Sequence, residues 1–203
     1  MNKVSRFFWK ILSTHKFNDV ASFAVAQPGP ISRRAAKDAN TKEVLSVREN
    51  GSNRGTFVEV YLKAVGLAPG NPWCMAFVVL RLMKAAIGLK QVFPKDIPKT
   101  GSTVLFSDYG KKKGFWIKRA DFELGRAKVQ PGDIVFYFFP SKGRIAHTGI
   151  VVELADNKNF FTVEGNTSGG IGDSVDRDGQ GVYMKLRTLS SLGLWGGVVR
   201  LPY

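Results

Sequence analysis

Trp73-Cys-Met-Ala-Phe-Val-Val-Leu-Arg-Leu-Met-Lys-Ala-Ala-Ile87 is almost unbroken apolar sequence, with charge only at Arg81 and Lys84. It is too long for an ordinary strand, so it predicts a buried helix. Two further helices are expected upstream, over residues 35–49 and about 55–65, where Val58, Tyr61, Leu62 and Val65 share one face. Downstream, residues 90–128 are basic, rich in turn residues and poorly periodic. The pattern changes at the Pro131-Gly-Asp133 turn. Ile134–Phe139, His147–Leu154, Phe160–Glu164, Val182–Leu186 and Trp195–Leu201 read as strands, with a polar, Gly-rich loop over Gly165–Gly181. Helices followed by an antiparallel meander predict an α+β domain.

The chain has 203 residues, 44% of them apolar, which is enough for one domain core and a short extension. One Cys excludes an internal disulfide, and one Cys with two His is too few for a Cys/His zinc site. The formal net charge of +14 falls in two places. Residues 1–37 carry seven Lys/Arg against Asp19, and residues 81–128 carry twelve against Asp96, Asp108, Asp121 and Glu123. The rest is neutral. Residues 1–37 read as a basic extension that ends near Pro28-Gly-Pro30, with the folded domain over 38–203. Phe7, Phe8, Ile11 and Leu12 have helical spacing among Lys3, Arg6 and Lys10, so a basic amphipathic helix is expected there. The stretch makes a poor signal peptide, because Lys10, His15, Lys16 and Asp19 interrupt it.

Cys74 is the only thiol. Pro72 suits a first helical position and Asn71 a cap, which places Cys74 in the first turn of the long helix. The helix dipole favours a thiolate there, and the thiolate is the nucleophilic form of Cys. An inert buried Cys is the competing reading. His147 is expected to open a strand, and Glu164-Gly-Asn166 to end the next. If these strands pair, Glu164 or Asn166 stands beside the imidazole. Cys, His and a polar orienter are the parts of nucleophilic amide hydrolysis. A satisfied core His and a surface Glu are the competing readings.

Asn71-Pro-Trp-Cys-Met-Ala-Phe-Val78, Pro131-Gly-Asp-Ile-Val-Phe136, His147-Thr-Gly-Ile-Val-Val152 and Val163-Glu-Gly-Asn-Thr167 occur in order. Asn53-Arg-Gly55 precedes them and Asp178-Gly-Gln-Gly-Val182 follows. Together they resemble the signatures of CHAP domains, the cysteine, histidine-dependent amidohydrolases/peptidases, over roughly residues 38–203. The resemblance implies a papain-like fold of N-terminal helices on an antiparallel sheet. It implies Cys74 as nucleophile, His147 as base and acid, Glu164 as the residue orienting the ring, and Asn166 as a further polar member. Trp73, Asn71, Thr148 and Thr167 are expected to bind substrate. Many relatives have Gln before the Cys as an oxyanion donor, where this chain has Trp73. Some relatives bind calcium through acidic loops before the Cys. Asn50–Gly55 lacks clustered acids, so neither a metal nor a cofactor is expected.

The implied substrate is bacterial peptidoglycan, cut at a stem-peptide or sugar–peptide amide by a monomer. Glu164→Gln is expected to cost less activity than His147→Ala. The basic stretches would concentrate the protein on anionic walls or membranes. Lys111-Lys-Lys113 with Phe115, Trp116, Lys118 and Arg119 mixes charge with aromatics, but no nucleic-acid-binding motif accompanies it, so nucleic acid is not the expected partner. The expected setting is a phage lysin made in the host cytoplasm and released to the wall, or carried on the virion. An injected antibacterial effector and a non-catalytic wall-binding module are the alternatives.

Overall fold

The computed structural model describes residues 27–156, 158–169 and 179–203. The amphipathic stretch at Phe7–Leu12 and Asp178 lie outside the described residues. The elements run α1 (Pro30–Ala39), α2 (Lys42–Leu45), α3 (Thr56–Ala64), α4 (Cys74–Gly88), α5 (Thr103–Lys112), β1 (Trp116–Lys118), α6 (Arg119–Glu123), β2 (Ile134–Phe139), β3 (Arg144–Leu154), β4 (Asn159–Thr167), β5 (Gly181–Thr188) and β6 (Gly197–Val199). The strands form one antiparallel sheet in the order β1-β6-β2-β3-β4-β5. This is the α+β architecture expected, with the helices gathered mainly on one face.

Side chains alternate along the strands, so the sheet separates two apolar layers. Ile134, Phe136, Ile150 and Val163 face the layer under α1, α3 and α4. Val135, Tyr137, Val151 and Phe160 face a smaller layer closed by Phe122, Val129 and Leu192. Because β2 is covered on both sides, its sequence is a continuous apolar run. Helix α4 buries Met75, Ala76, Phe77, Val78, Val79, Leu82, Ala85 and Ala86, nearly its whole circumference. Each large side chain so buried stabilises the fold by roughly 1.5–3 kcal/mol.

The structure revises several local expectations. Residues 35–49 are not one helix. α1 stops at Ala39, and Thr41 caps the one-turn α2 by accepting from the Val44 N–H at 3.5 Å. Pro30 sits at the start of α1, where its missing N–H costs nothing. α1 buries Ile31, Ala35, Ala36 and Ala39, and residues 29 and 31 bond to the C-terminal backbone at Leu201 and Tyr203. Residues 30–37 therefore belong to this core. The basic stretch holds α5, β1 and α6, elements too short to show a clear period. Its aromatic residues pack inward: Trp116 against Phe136 at 5.9 Å, and Phe115 against Tyr109 and Tyr203, each at 6.2 Å.

Candidate active site

Cys74 is the first residue of α4 and is capped from an unexpected direction. Asn71 does not cap the helix, because its Nδ2 donates to the Ala68 carbonyl at 2.9 Å. Trp73 holds the N-cap position, and its backbone N–H donates to Asn166 Oδ1 at 2.8 Å. Asn166 comes from β4, where one extra residue relative to β5 makes a bulge. Its φ of 58° lies in the left-handed region, which Asn tolerates better than most residues. The bulge aims the Asn166 amide at the start of α4. Trp73 Nε1–H donates to Glu49 at 2.8 Å, and its ring stacks on Tyr61 at 5.5 Å. That indole therefore does not replace the missing Gln as an oxyanion donor.

β3 begins at Arg144, so His147 lies inside the strand rather than opening it. A second bulge, with Ala146 as the extra residue, immediately precedes His147 in the β2–β3 register. The imidazole is fully buried and stacks on Tyr137 at 5.6 Å. Its Nε2 meets Glu164 Oε2 at 2.8 Å. Nδ1 makes no hydrogen bond of regular geometry, which leaves it as the ring nitrogen open to Cys74. Burial opposes a charged ring most strongly. The Cys74 side chain and the Glu164 carboxylate outweigh it, and the His147 pKa is pushed up to about 9. At neutral pH the ring is an imidazolium.

Glu164 is the centre of the cluster. Its Oε1 accepts from Tyr137 Oη at 2.7 Å, Thr162 Oγ1 at 2.6 Å and Arg187 Nε at 2.8 Å. Its Oε2 accepts from Arg187 Nη2 at 2.7 Å as well as facing His147. Burial raises the pKa of such a carboxyl, but Arg187 and then His147 more than reverse this, holding it far below the usual carboxylate range. Two glycines make room. A Cβ on Gly149 would lie 2.5 Å from Glu164 Cγ, and one on Gly165 would lie 2.6 Å from Trp73 Cζ3.

The structure thus brings Cys74, His147, Glu164 and Asn166 together. It does not bring the other expected contacts to the surface. Trp73, Thr148 and Thr167 are fully buried, and Thr148 Oγ1 donates to the Val135 carbonyl between strands. Asn71 does reach the cleft of about 240 Å³ that Cys74 lines with Leu67, Pro72, Ser102, Thr103 and Arg144. A second cavity, of about 300 Å³ among Phe122, Val129, Leu154 and Phe160, contains none of the clustered groups. Tyr137, Thr162 and Arg187 escape a sequence reading. The one available signal is an Arg on a strand that pairs with the Glu164 strand. Among the described residues, no group of three or more His, Cys, Asp and Glu is placed to hold a metal ion.

The family model described as CHAP domain matches residues 66–166, a span that holds Cys74, His147, Glu164 and Asn166 but stops short of Arg187. No curated protein and no solved structure matches the chain. With the α+β fold and the clustered Cys and His, this match makes the chain a member of the CHAP domain family, whose members are typically cysteine/histidine amidohydrolases of the peptidoglycan amidase/peptidase type.

Proposed function

We propose that this chain hydrolyses an amide bond of bacterial peptidoglycan, with Cys74 as nucleophile and His147 as proton carrier. The observation that carries the reading is one ring contacted on two sides: Glu164 holds Nε2, and Nδ1 is left for a thiol at a helix start on an open cleft. The thiolate attacks the amide carbonyl, and the C–S bond forms as the oxygen takes the negative charge. The Cys74 backbone N–H, at the first helical position, is the natural donor to that oxygen. The imidazolium then gives its proton to the leaving amine as the C–N bond breaks. Neutral His147 next accepts a proton from water, which attacks the thioester; the C–S bond breaks, releasing the acid and restoring the thiolate and imidazolium. Glu164 and Asn166 are positioning residues here. One holds the ring and its charge, the other the start of α4.

Peptidoglycan as substrate rests on the family and on the basic surface, since positive charge concentrates a protein on an anionic wall. The setting we favour is a phage lysin, with an injected antibacterial amidase as the other setting for the same chemistry. Cys74→Ala tests the function. We expect it to abolish lysis of purified walls while circular dichroism still shows the wild-type fold. Wall lysis that survives the substitution overturns the reading, and mass analysis of the released muropeptides identifies the bond cut.

A further inference from the structure

We propose that Arg144 makes a carboxylate-binding subsite beside Cys74, so that the preferred substrate carries a free carboxylate close to the scissile amide. This deepens the hydrolase reading and rests on it. The cleft at Cys74 has apolar walls at Leu67 and Pro72 and hydroxyl-bearing residues at Ser102 and Thr103. Among the described residues, Arg144 is its one charged lining residue, and no Asp or Glu lines it.

Its place in the Cys74 cleft sets that guanidinium apart. Arg144 is exposed, and its one hydrogen bond, to the Ile145 carbonyl, is long at 3.5 Å. It has no ion pair among the described residues. The exposed Lys111, Lys113 and Arg126, by contrast, pair with Asp108, Asp96 and Asp121. The position of Arg144 is fixed even though its head is free. It opens β3 directly after Gly143, whose φ of 60° makes the turn. The next residue, Ile145, accepts from Thr103 Oγ1 at 3.0 Å, which ties this strand end to α5 across the cleft. A rooted but unpaired guanidinium presents a planar fork of donors that matches a carboxylate bidentately. The apolar walls limit the group that carries the carboxylate to a short one. Stem peptides offer such groups, and amidation of the carboxylate removes the charge without changing the shape.

The test compares a muropeptide with free carboxylates and its amidated counterpart. With the Cys74→Ala protein in a calorimeter, the free acid is expected to bind about ten-fold more tightly than the amide. Adding Arg144→Ala should erase that preference, and Arg144→Lys should restore part of it. With the active enzyme, Arg144→Ala should raise KM for the free acid about ten-fold, with a smaller change in kcat. Equal binding of acid and amide, or a preference that survives Arg144→Ala, overturns the subsite. Those results leave the hydrolase reading intact as long as Cys74-dependent wall lysis is seen. If the wild type hydrolyses no wall amide, that reading falls, and the binding comparison still decides the subsite.

Discussion

Glu164→Gln is the most informative substitution in this protein, because the residue has two separable duties. Both carboxylate oxygens are occupied by donors: Tyr137, Thr162 and Arg187 at Oε1, and His147 and Arg187 at Oε2. A Gln amide presents one acceptor and one N–H₂ group. Whichever way it turns, at least two donors lose their acceptor and face another donor. The charge is lost too, so the fully buried Arg187 loses the carboxylate that it pairs with through two bonds. Breaking one side of a buried pair costs about 3–5 kcal/mol. For a domain of this length that lowers Tm by roughly 6–20 °C. Urea unfolding followed by circular dichroism measures it.

The outcome separates from that of His147→Ala, which leaves Glu164 paired with Arg187. Glu164→Gln should therefore destabilise the fold more than His147→Ala does, even where it costs less turnover per folded molecule. Glu164→Gln combined with Arg187→Met should recover part of the loss, since the guanidinium that the carboxylate paired with is then gone too. A Glu164→Gln protein within about 1 kcal/mol of wild type, well under the cost of a broken buried pair, would refute the reasoning.

Two further outcomes follow from the same cluster. The His147 pKa of about 9 exceeds the ordinary 6.5, so its contribution to stability, about 3 kcal/mol, is fully present below about pH 6.5. It is lost as pH rises through about 9, and activity should fall on the same limb as the general acid is lost. Proton NMR reads this directly, because the chain has only one other His, His15, and Cys74→Ala should move the titration to lower pH. A ring that titrates near 6.5 in wild type contradicts the account. Gly149→Ala and Gly165→Ala, whose new methyls would meet Glu164 Cγ and Trp73 Cζ3, should each cost about 1–3 kcal/mol and reduce wall lysis. A wild-type melting temperature in either would show that the packing here yields freely.

What the sequence made legible was the chemistry carried in short, contiguous stretches. Residues 73–87 read as a buried helix, and β2 matches its expected span, because both are long apolar runs whose local pattern agrees with their final burial. Cys74, His147 and Glu164 stood out through rarity and spacing. The errors have a common physical origin in contacts between residues distant in sequence. The local cap expected from Asn71 gave way to Asn166, 93 residues from the Trp73 N–H that it accepts from, because the β4 bulge delivers a better-placed acceptor. Thr148 and Thr167 looked like cleft residues beside the site but are sealed within the sheet. Lys185-Leu-Arg187 reads as an ordinary half-exposed strand, yet both cations are buried. Only the β4–β5 register, with Thr162 opposite Lys185 and Phe160 opposite Arg187, brings that guanidinium to Glu164.

Arg187 also changes what the cluster can do. Burial is the strongest single influence on both His147 and Glu164, and it opposes charge on each. A buried Glu–His pair on its own would hold its two charges only together, so a ring that gave up its proton would leave an unpaired carboxylate. The bidentate guanidinium removes that dependence. Hydrogen bonding from Arg187 lowers the Glu164 pKa more than that from His147 does, so the carboxylate does not depend on the ring alone for its charge. Tyr137 and Thr162 add two neutral donors that stay in place through the cycle. On the proposed mechanism, His147 passes its proton to a leaving amine and takes another from water while the anion behind it stays fixed. The group that would keep the proposed general acid in working order thus lies outside residues 66–166, on the last long strand of the sheet.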